Sequence, residues 1–172
     1  MDQNLSILAE IAVGLAGFSS IVMAFRRGSA HAPWNRGDVF RFQDMLEYSL
    51  VAALFAILPA ALAGLGLDAP NLWTIVSALF FIFVLFNSIR RVRQWSRLPA
   101  GALSNPLYAF FIIMLVVVAA VQLLNVLGWI FPKGPGPYLF GVTWYTIYSG
   151  FMFYRLMILP ISTQTAPGPP DA

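Results

Sequence analysis

Cysteine is absent from this chain of 172 residues, and histidine occurs once, at His31. Without cysteine the chain can form no disulfide, no thiolate metal site and no cysteine nucleophile. A single histidine also excludes paired-histidine haem ligation and histidine-based metal clusters within one chain. We therefore expect no metal and no cofactor.

Charged residues are scarce as well, at 10% of the chain, whereas soluble domains carry about 25%. Hydrophobic residues make up 59% and form long continuous runs. Five of these runs reach the roughly 20 residues that a helix needs to cross a bilayer core of about 30 Å. They cover about residues 5–25, 45–66, 71–89, 107–131 and 138–159. The predicted fold class is an all-α integral membrane protein with five transmembrane helices.

The connections predicted between helices 2 and 3 and between helices 4 and 5 are short, which favours antiparallel neighbours. We therefore expect helix 1 plus two antiparallel hairpins, in a single transmembrane domain over residues 1–160. Residues 161–172 are rich in proline and threonine and predict a disordered cytoplasmic tail. Both hairpins contain a Leu-x-x-Leu-Gly motif ahead of a proline, at 62–66 and 124–128, which makes them candidates for an internal duplication.

Basic residues alternate between the two sides of the predicted membrane. The second and fourth connections carry only Asp68 and Lys133 as charged residues. The first and third connections include a larger set of arginines, namely Arg26, Arg27, Arg90, Arg91, Arg93 and Arg97. Because arginine-rich connections stay in the cytoplasm, the N-terminus is expected outside and the C-terminus inside a bacterial-type inner membrane. These arginines are expected to contact anionic lipid headgroups, and no nucleic acid is needed to explain them.

One acidic residue interrupts the first apolar run. Glu10 lies about a turn and a half below the expected outer surface, where a carboxylate is costly in lipid. Depth in the membrane selects Gln122 and Asn125 of helix 4 as its partners, and their spacing of three places them on one helix face. The cluster has two readings: a structural clasp between helices 1 and 4, or a proton- or cation-binding site.

Helix 5 carries a second polar feature, a stripe at helical spacing. The stripe includes Tyr145 and Tyr148, with Thr146 and Ser149 beside them. It suits either packing between helices with satisfied hydroxyls or the lining of a hydrated cavity.

An ion pair is predicted near the cytoplasmic surface. Arg155 of helix 5 and Glu47 of helix 2 lie at matching depth, and an unpaired charge there would be costly. We therefore expect these two residues to pair.

Sequence motifs for catalysis are missing: the chain has no nucleophile elbow, phosphate-binding loop or dinucleotide fingerprint. An enzyme is therefore not expected. One hypothesis is an accessory or scaffold membrane protein that acts through helix contacts with itself or another membrane protein. The alternative is a small oligomeric transporter or channel with Glu10 in its pathway.

Overall fold

The computed structural model describes residues 2–28, 36–95, 106–130 and 132–163. These residues form five α-helices and no strand. The helices are α1 (Asp2–Gly28), α2 (Arg36–Ala63), α3 (Ala69–Trp95), α4 (Pro106–Leu127) and α5 (Pro135–Thr163). The all-helical fold class is confirmed within the described ranges.

Proline and glycine mark the helix ends. Proline is the first residue of α4 and α5 and the second of α3, where its missing N–H costs no helical hydrogen bond. Gly66 and Gly128 follow the ends of α2 and α4 with φ angles of +79° and +67°. Only glycine adopts this left-handed conformation without a steric penalty. Gly128 directly follows α4, whereas Gly66 lies in a turn three residues beyond the end of α2, so the two Leu-x-x-Leu-Gly motifs end their helices differently and a duplication stays a prediction.

The five helices run alternately up and down. One end of the bundle, which we call the hairpin end, carries the short connections 64–68 and 128–134. The opposite end, where α3 finishes with Arg90 and Arg93, is called the arginine end.

The packing differs from a simple pair of hairpins. α5 contacts all four other helices, α2 packs mainly on α1 and α5, and α3 packs mainly on α4. The two helices of each predicted hairpin contact each other, but α2 contacts α3 less extensively than it contacts α1 or α5. The reason is that α5 inserts beside α2, which leaves less of α2 available to α3.

Small residues allow α1 to lie close to its neighbours. Its buried face consists of Leu5, Ala9, Ala12, Ala16 and Ser19. Alanine and serine let helix backbones approach closely, as in membrane helix pairs. The opposite face of α1 is exposed.

Four of the described helices are long and apolar enough to cross a membrane. The spans are Gln3–Val22, Phe42–Ala63, Ala69–Arg90 and Ala109–Leu127. α5 is not among them, so the described helices support four of the five predicted spans. The membrane-like character of the protein is supported by these four apolar helices.

The composition of α5 follows from its position. Its buried residues include hydroxyl-bearing side chains, which lower its hydropathy: Tyr138, Tyr145, Thr146, Tyr148 and Ser149. Tyr138 and Ser149 form hydrogen bonds to α2, which supplies partners that lipid tails cannot, while Thr146 donates to a carbonyl of α5 itself. α5 also continues to Thr163, so residues 161–163 of the predicted tail are helical, and the rest of the tail lies outside the described residues.

Candidate functional site

A chain of polar contacts joins α2 to α3 near the arginine end. Arg90 donates a hydrogen bond to the Glu47 carboxylate and lies 3.4 Å from the Asn87 side-chain oxygen. Asn87 in turn donates to the Tyr48 hydroxyl at 3.3 Å. Asn87 and Tyr48 are each 2% exposed, so the chain leads from a half-buried ion pair into the bundle core. We call these four residues the arginine-end network.

The predicted pairing of Glu47 with Arg155 is wrong. The partner of Glu47 is Arg90, while the Arg155 guanidinium lies 5.9 Å from the Phe151 ring centroid. Matching depth placed Glu47 at the level of the arginines, but four helices, α2 itself included, carry arginines near that end. The lateral order of the helices decides which arginine is within reach.

The predicted stripe on α5 faces the bundle interior. Tyr145 and Tyr148 lie against Tyr48, with ring centroids 5.0 and 4.2 Å apart. Tyr148 also meets Phe111 edge-on, at 4.6 Å between centroids. Thr146 donates to the Val142 carbonyl of its own helix at 3.1 Å. These contacts fit the packing interpretation of the stripe.

Two serines tie α5 to α2 within this core. Ser149 shares a hydrogen bond with Ser49 and donates to the Met45 carbonyl at 3.1 Å. Both serines are fully buried. Ser19 of α1 reaches the same point, 3.2 Å from the Met45 sulfur. Side chains of α1, α2 and α5 therefore meet in one small buried polar cluster.

A second buried polar group, the amide cluster of Ser77, Gln122 and Asn125, lies near the hairpin end. Asn125 donates to Ser77 at 2.8 Å and to the Gly134 carbonyl at 2.9 Å, and its oxygen accepts from the Gly134 amide at 3.1 Å. Gln122 donates to the Pro137 carbonyl at 2.8 Å. The cluster thus anchors α4 to α3 and to the start of α5.

Gly141 makes the packing around Gln122 possible. A β-carbon at this position would lie 2.5 Å from Phe80 Cε1 and 2.7 Å from Gln122 Nε2, closer than real contacts allow. Glycine therefore lets α5 press directly against α3 and α4 at this level.

Glu10 does not join Gln122 and Asn125. Both amides are fully buried on α4, whereas Glu10 is exposed on α1. α5 lies between the two helices and contacts each of them. The predicted cluster is therefore divided: the amides form a clasp without the acid, and Glu10 points away from the bundle. Depth was again a poor guide to the lateral direction of a side chain.

The exposed side of α1 carries Glu10 on a line of residues seven positions apart. Gln3, Glu10, Gly17 and Ala24 are all exposed at this spacing, and we call this line, with Gly14 beside it, the α1 face. β-Carbons added at Gly14 and Gly17 would meet nothing within 4 Å. Positions seven apart lie on nearly the same side of a helix, with a drift of about 20° per step.

The arginines predicted to contact lipid headgroups are only partly described. Arg93 is exposed, and Arg90 is half-buried in its ion pair. The side chains of Arg26, Arg27 and Arg91, and the whole of Arg97, lie outside the described residues. Their contact with lipid stays a prediction.

Several residues that build the polar core were not singled out from the sequence. Asn87 stands three positions before Arg90, and Tyr48 directly follows Glu47. The spacing on α3 puts an amide beside a charge on one helix face, and that signal was available. Ser77 and Ser49, in contrast, resemble ordinary small residues of membrane helices.

Comparison with protein-family models, with curated proteins and with solved structures finds no match to this chain. Its function must therefore be inferred from its own residues.

Proposed function

We propose that this chain is a polytopic protein of a bacterial-type cytoplasmic membrane that assembles with another membrane protein through the α1 face. The observation that carries the proposal is the exposed carboxylate of Glu10, seven residues inside the first apolar segment. In lipid an acid near mid-helix costs about 2.5–3.5 kcal/mol, and less toward the helix end. A contact with a second helix removes that cost.

The membrane arrangement has five crossings in this proposal, with the N-terminus outside and the C-terminus in the cytoplasm. The distribution of arginines supports this orientation, since Arg90 and Arg93 lie at the end opposite to the hairpins. α5, with 29 residues, has ample length, because about 20 suffice. Tyr138, Tyr145, Tyr148 and Ser149 are buried among the other helices, which makes its crossing acceptable.

The α1 face specifies the chemistry of its partner. Gly14 and Gly17 present open space next to Glu10, so a partner backbone can approach closely. A carboxylate in this setting is best matched by a lysine or arginine, or by the amide of asparagine or glutamine. The partner is therefore a membrane helix with a basic or amide side chain, packed along the seven-residue line.

A second arrangement uses copies of the same chain. Because each Glu10 faces away from its own bundle, several copies around one axis would form a ring of carboxylates, as in cation channels. This alternative predicts a stable homo-oligomer that conducts cations. The first proposal predicts neither.

Photo-cross-linking in native membranes tests the proposal. A benzophenone-bearing residue replaces Val13, an exposed residue of α1 three positions after Glu10, or, as a control, Ile113 on the exposed surface of α4. We expect a discrete protein adduct from position 13, none from position 113, and loss of the adduct when Glu10→Leu is added. Equal adducts at both positions, or an adduct that survives Glu10→Leu, would contradict the proposal.

Purified protein in vesicles separates the two arrangements. A monomer without cation flux agrees with a different partner protein. A homo-oligomer whose cation flux disappears in Glu10→Gln would replace the first proposal by the channel alternative.

A further inference from the structure

An open groove of about 480 Å³ lies on the bundle surface between α2 and α3. Its α3 wall consists of Leu79, Ile82, Phe83 and Phe86, and its α2 wall of Leu54, Phe55 and Leu58. The groove lies where α2 and α3 contact each other less extensively than α2 contacts α1 and α5 or α3 contacts α4. Every side chain that lines it is apolar, so it suits a hydrocarbon occupant.

The ion pair of Glu47 and Arg90 does not line the groove but lies beyond it, toward the arginine end. The α3 residues of the groove precede Arg90 by 4, 7, 8 and 11 positions, and its α2 residues follow Glu47 by 7, 8 and 11. These spacings keep each wall on the same helix face as its charged residue. Arg90 therefore lies about one helical turn past Phe86, at the arginine end of a groove that extends about 10 Å along α3 from Phe86 to Leu79.

Arg90 has a hydrogen-bonding capacity that the described residues do not use. Its Nη2 atom contacts Glu47 and Asn87, but its Nε–H is buried and has no hydrogen-bond partner among the described residues. The buried Nε–H is closed to an outside ligand, but the side chain as a whole is 41% exposed, so a ligand can reach the outer part of the guanidinium group. Guanidinium N–H groups are best matched by a carboxylate or a phosphate.

We propose that the groove and Arg90 together hold one anionic phospholipid from the leaflet at the arginine end. One acyl chain lies against Ile82 and Phe83, and the phosphate accepts a hydrogen bond from Arg90. Arg93, exposed in the next helical turn, adds positive charge around the headgroup. The site rests on the membrane crossings of α2 and α3 proposed above, and it is independent of the partner at the α1 face.

A photoactivatable lipid tests the site in vesicles. The protein is reconstituted with phosphatidylglycerol or phosphatidylcholine that carries a diazirine on one acyl chain, and adducts are located by mass spectrometry. The measured quantity is the ratio of adducts at Ile82 and Phe86 to adducts at the exposed Ile113 and Val116 of α4. We expect this ratio to be about fivefold higher with phosphatidylglycerol, the factor that about 1 kcal/mol per basic residue provides.

Two substitutions should move the preference in opposite directions. Arg90→Gln removes the phosphate ligand, so the preference for phosphatidylglycerol should fall to a small remainder that Arg93 supplies. Glu47→Gln removes the competing carboxylate and should raise the preference for phosphatidylglycerol. A variant that only disturbed the fold would not produce this pair of results, and Ile113→Val serves as the neutral control.

Each of the remaining outcomes contradicts either the lipid site or the membrane crossings. Equal ratios for the two lipids in the unmodified protein, or a preference that Arg90→Gln leaves undiminished, would overturn the lipid site. Adducts on α4 but none in the groove would mean that protein covers it, which also overturns the site. Adducts on neither surface would instead contradict the membrane crossings themselves.

Discussion

The hydroxyl of Tyr138 donates a hydrogen bond to the backbone carbonyl of Phe55, across the interface between α5 and α2. That carbonyl is the one that Pro59 leaves without its usual helical partner, because proline has no N–H to donate four residues later. Tyr138 and Phe55 are both buried, so no bulk water replaces the lost bond. A defect in one helix is thus repaired by a side chain from another.

Tyr138→Phe should therefore destabilise the protein by on the order of 1 kcal/mol, since it leaves a buried carbonyl without a partner. Pro59→Ala restores the helical N–H, and in that background the same substitution should cost clearly less. Thermal unfolding in detergent of the four combinations measures the coupling. Equal costs in both backgrounds would show that the tyrosine acts through packing alone.

The contact between Tyr138 and Phe55 shows which features can be predicted from the sequence alone and which cannot. Long apolar runs indicated the helices, and Pro59 identified the carbonyl that needs a donor. The donor lies 83 positions further along the chain, and nothing local to Pro59 points to it. Helix existence is encoded in neighbouring residues, whereas the side-by-side order of helices depends on packing between distant segments.

The same limit explains the two pairings that were placed wrongly. Counting residues along a helix gives the depth of Glu10 and Glu47 with useful accuracy, since each residue rises about 1.5 Å. It does not give the direction in which they point around the bundle. In the structure Glu47 faces Arg90 of α3 and not Arg155 of α5, and Glu10 points away from the bundle. The crossing of α5 stays a proposal, and its buried tyrosines fit a helix that is surrounded by other helices.

Gly141→Ala should destabilise the bundle, although alanine is the better helix former. The added methyl group would overlap Phe80 and Gln122, and such overpacking costs about 1–3 kcal/mol. Gly150→Ala on the same helix is the matched control, because its nearest neighbour, Leu15, lies 4.0 Å away. Thermal unfolding should show a loss for position 141 and no loss for position 150.

Double-mutant cycles should couple Glu47 to Arg90 and not to Arg155. Both members of the ion pair are partly exposed, so the coupling should be modest, up to about 1 kcal/mol. Glu47→Gln is combined in turn with Arg90→Gln and Arg155→Gln, and the free energy of unfolding is measured in detergent. A measurable coupling with Arg155 and none with Arg90 would restore the pairing first expected from depth.

Gly17→Leu should abolish association through the α1 face without harming the isolated chain. The leucine would point into open space, so it creates no clash within the bundle, but it separates two closely packed backbones. Cross-linking from the exposed Val13 reports association, and thermal unfolding of the purified chain reports stability. Loss of both together would mean that Gly17 matters for folding instead.

The absence of native cysteine permits a direct test of the five proposed crossings. Single cysteines are placed at Gln3 and, separately, at Thr165 beyond α5, and whole cells are treated with a membrane-impermeant maleimide. An odd number of crossings puts the two ends on opposite sides, so position 3 should react in intact cells and position 165 only after lysis. If α5 did not cross, four crossings would leave both positions on the same side and they would react alike. A reversed pattern, with only position 165 reactive in intact cells, would keep the five crossings and overturn the orientation inferred from the arginines.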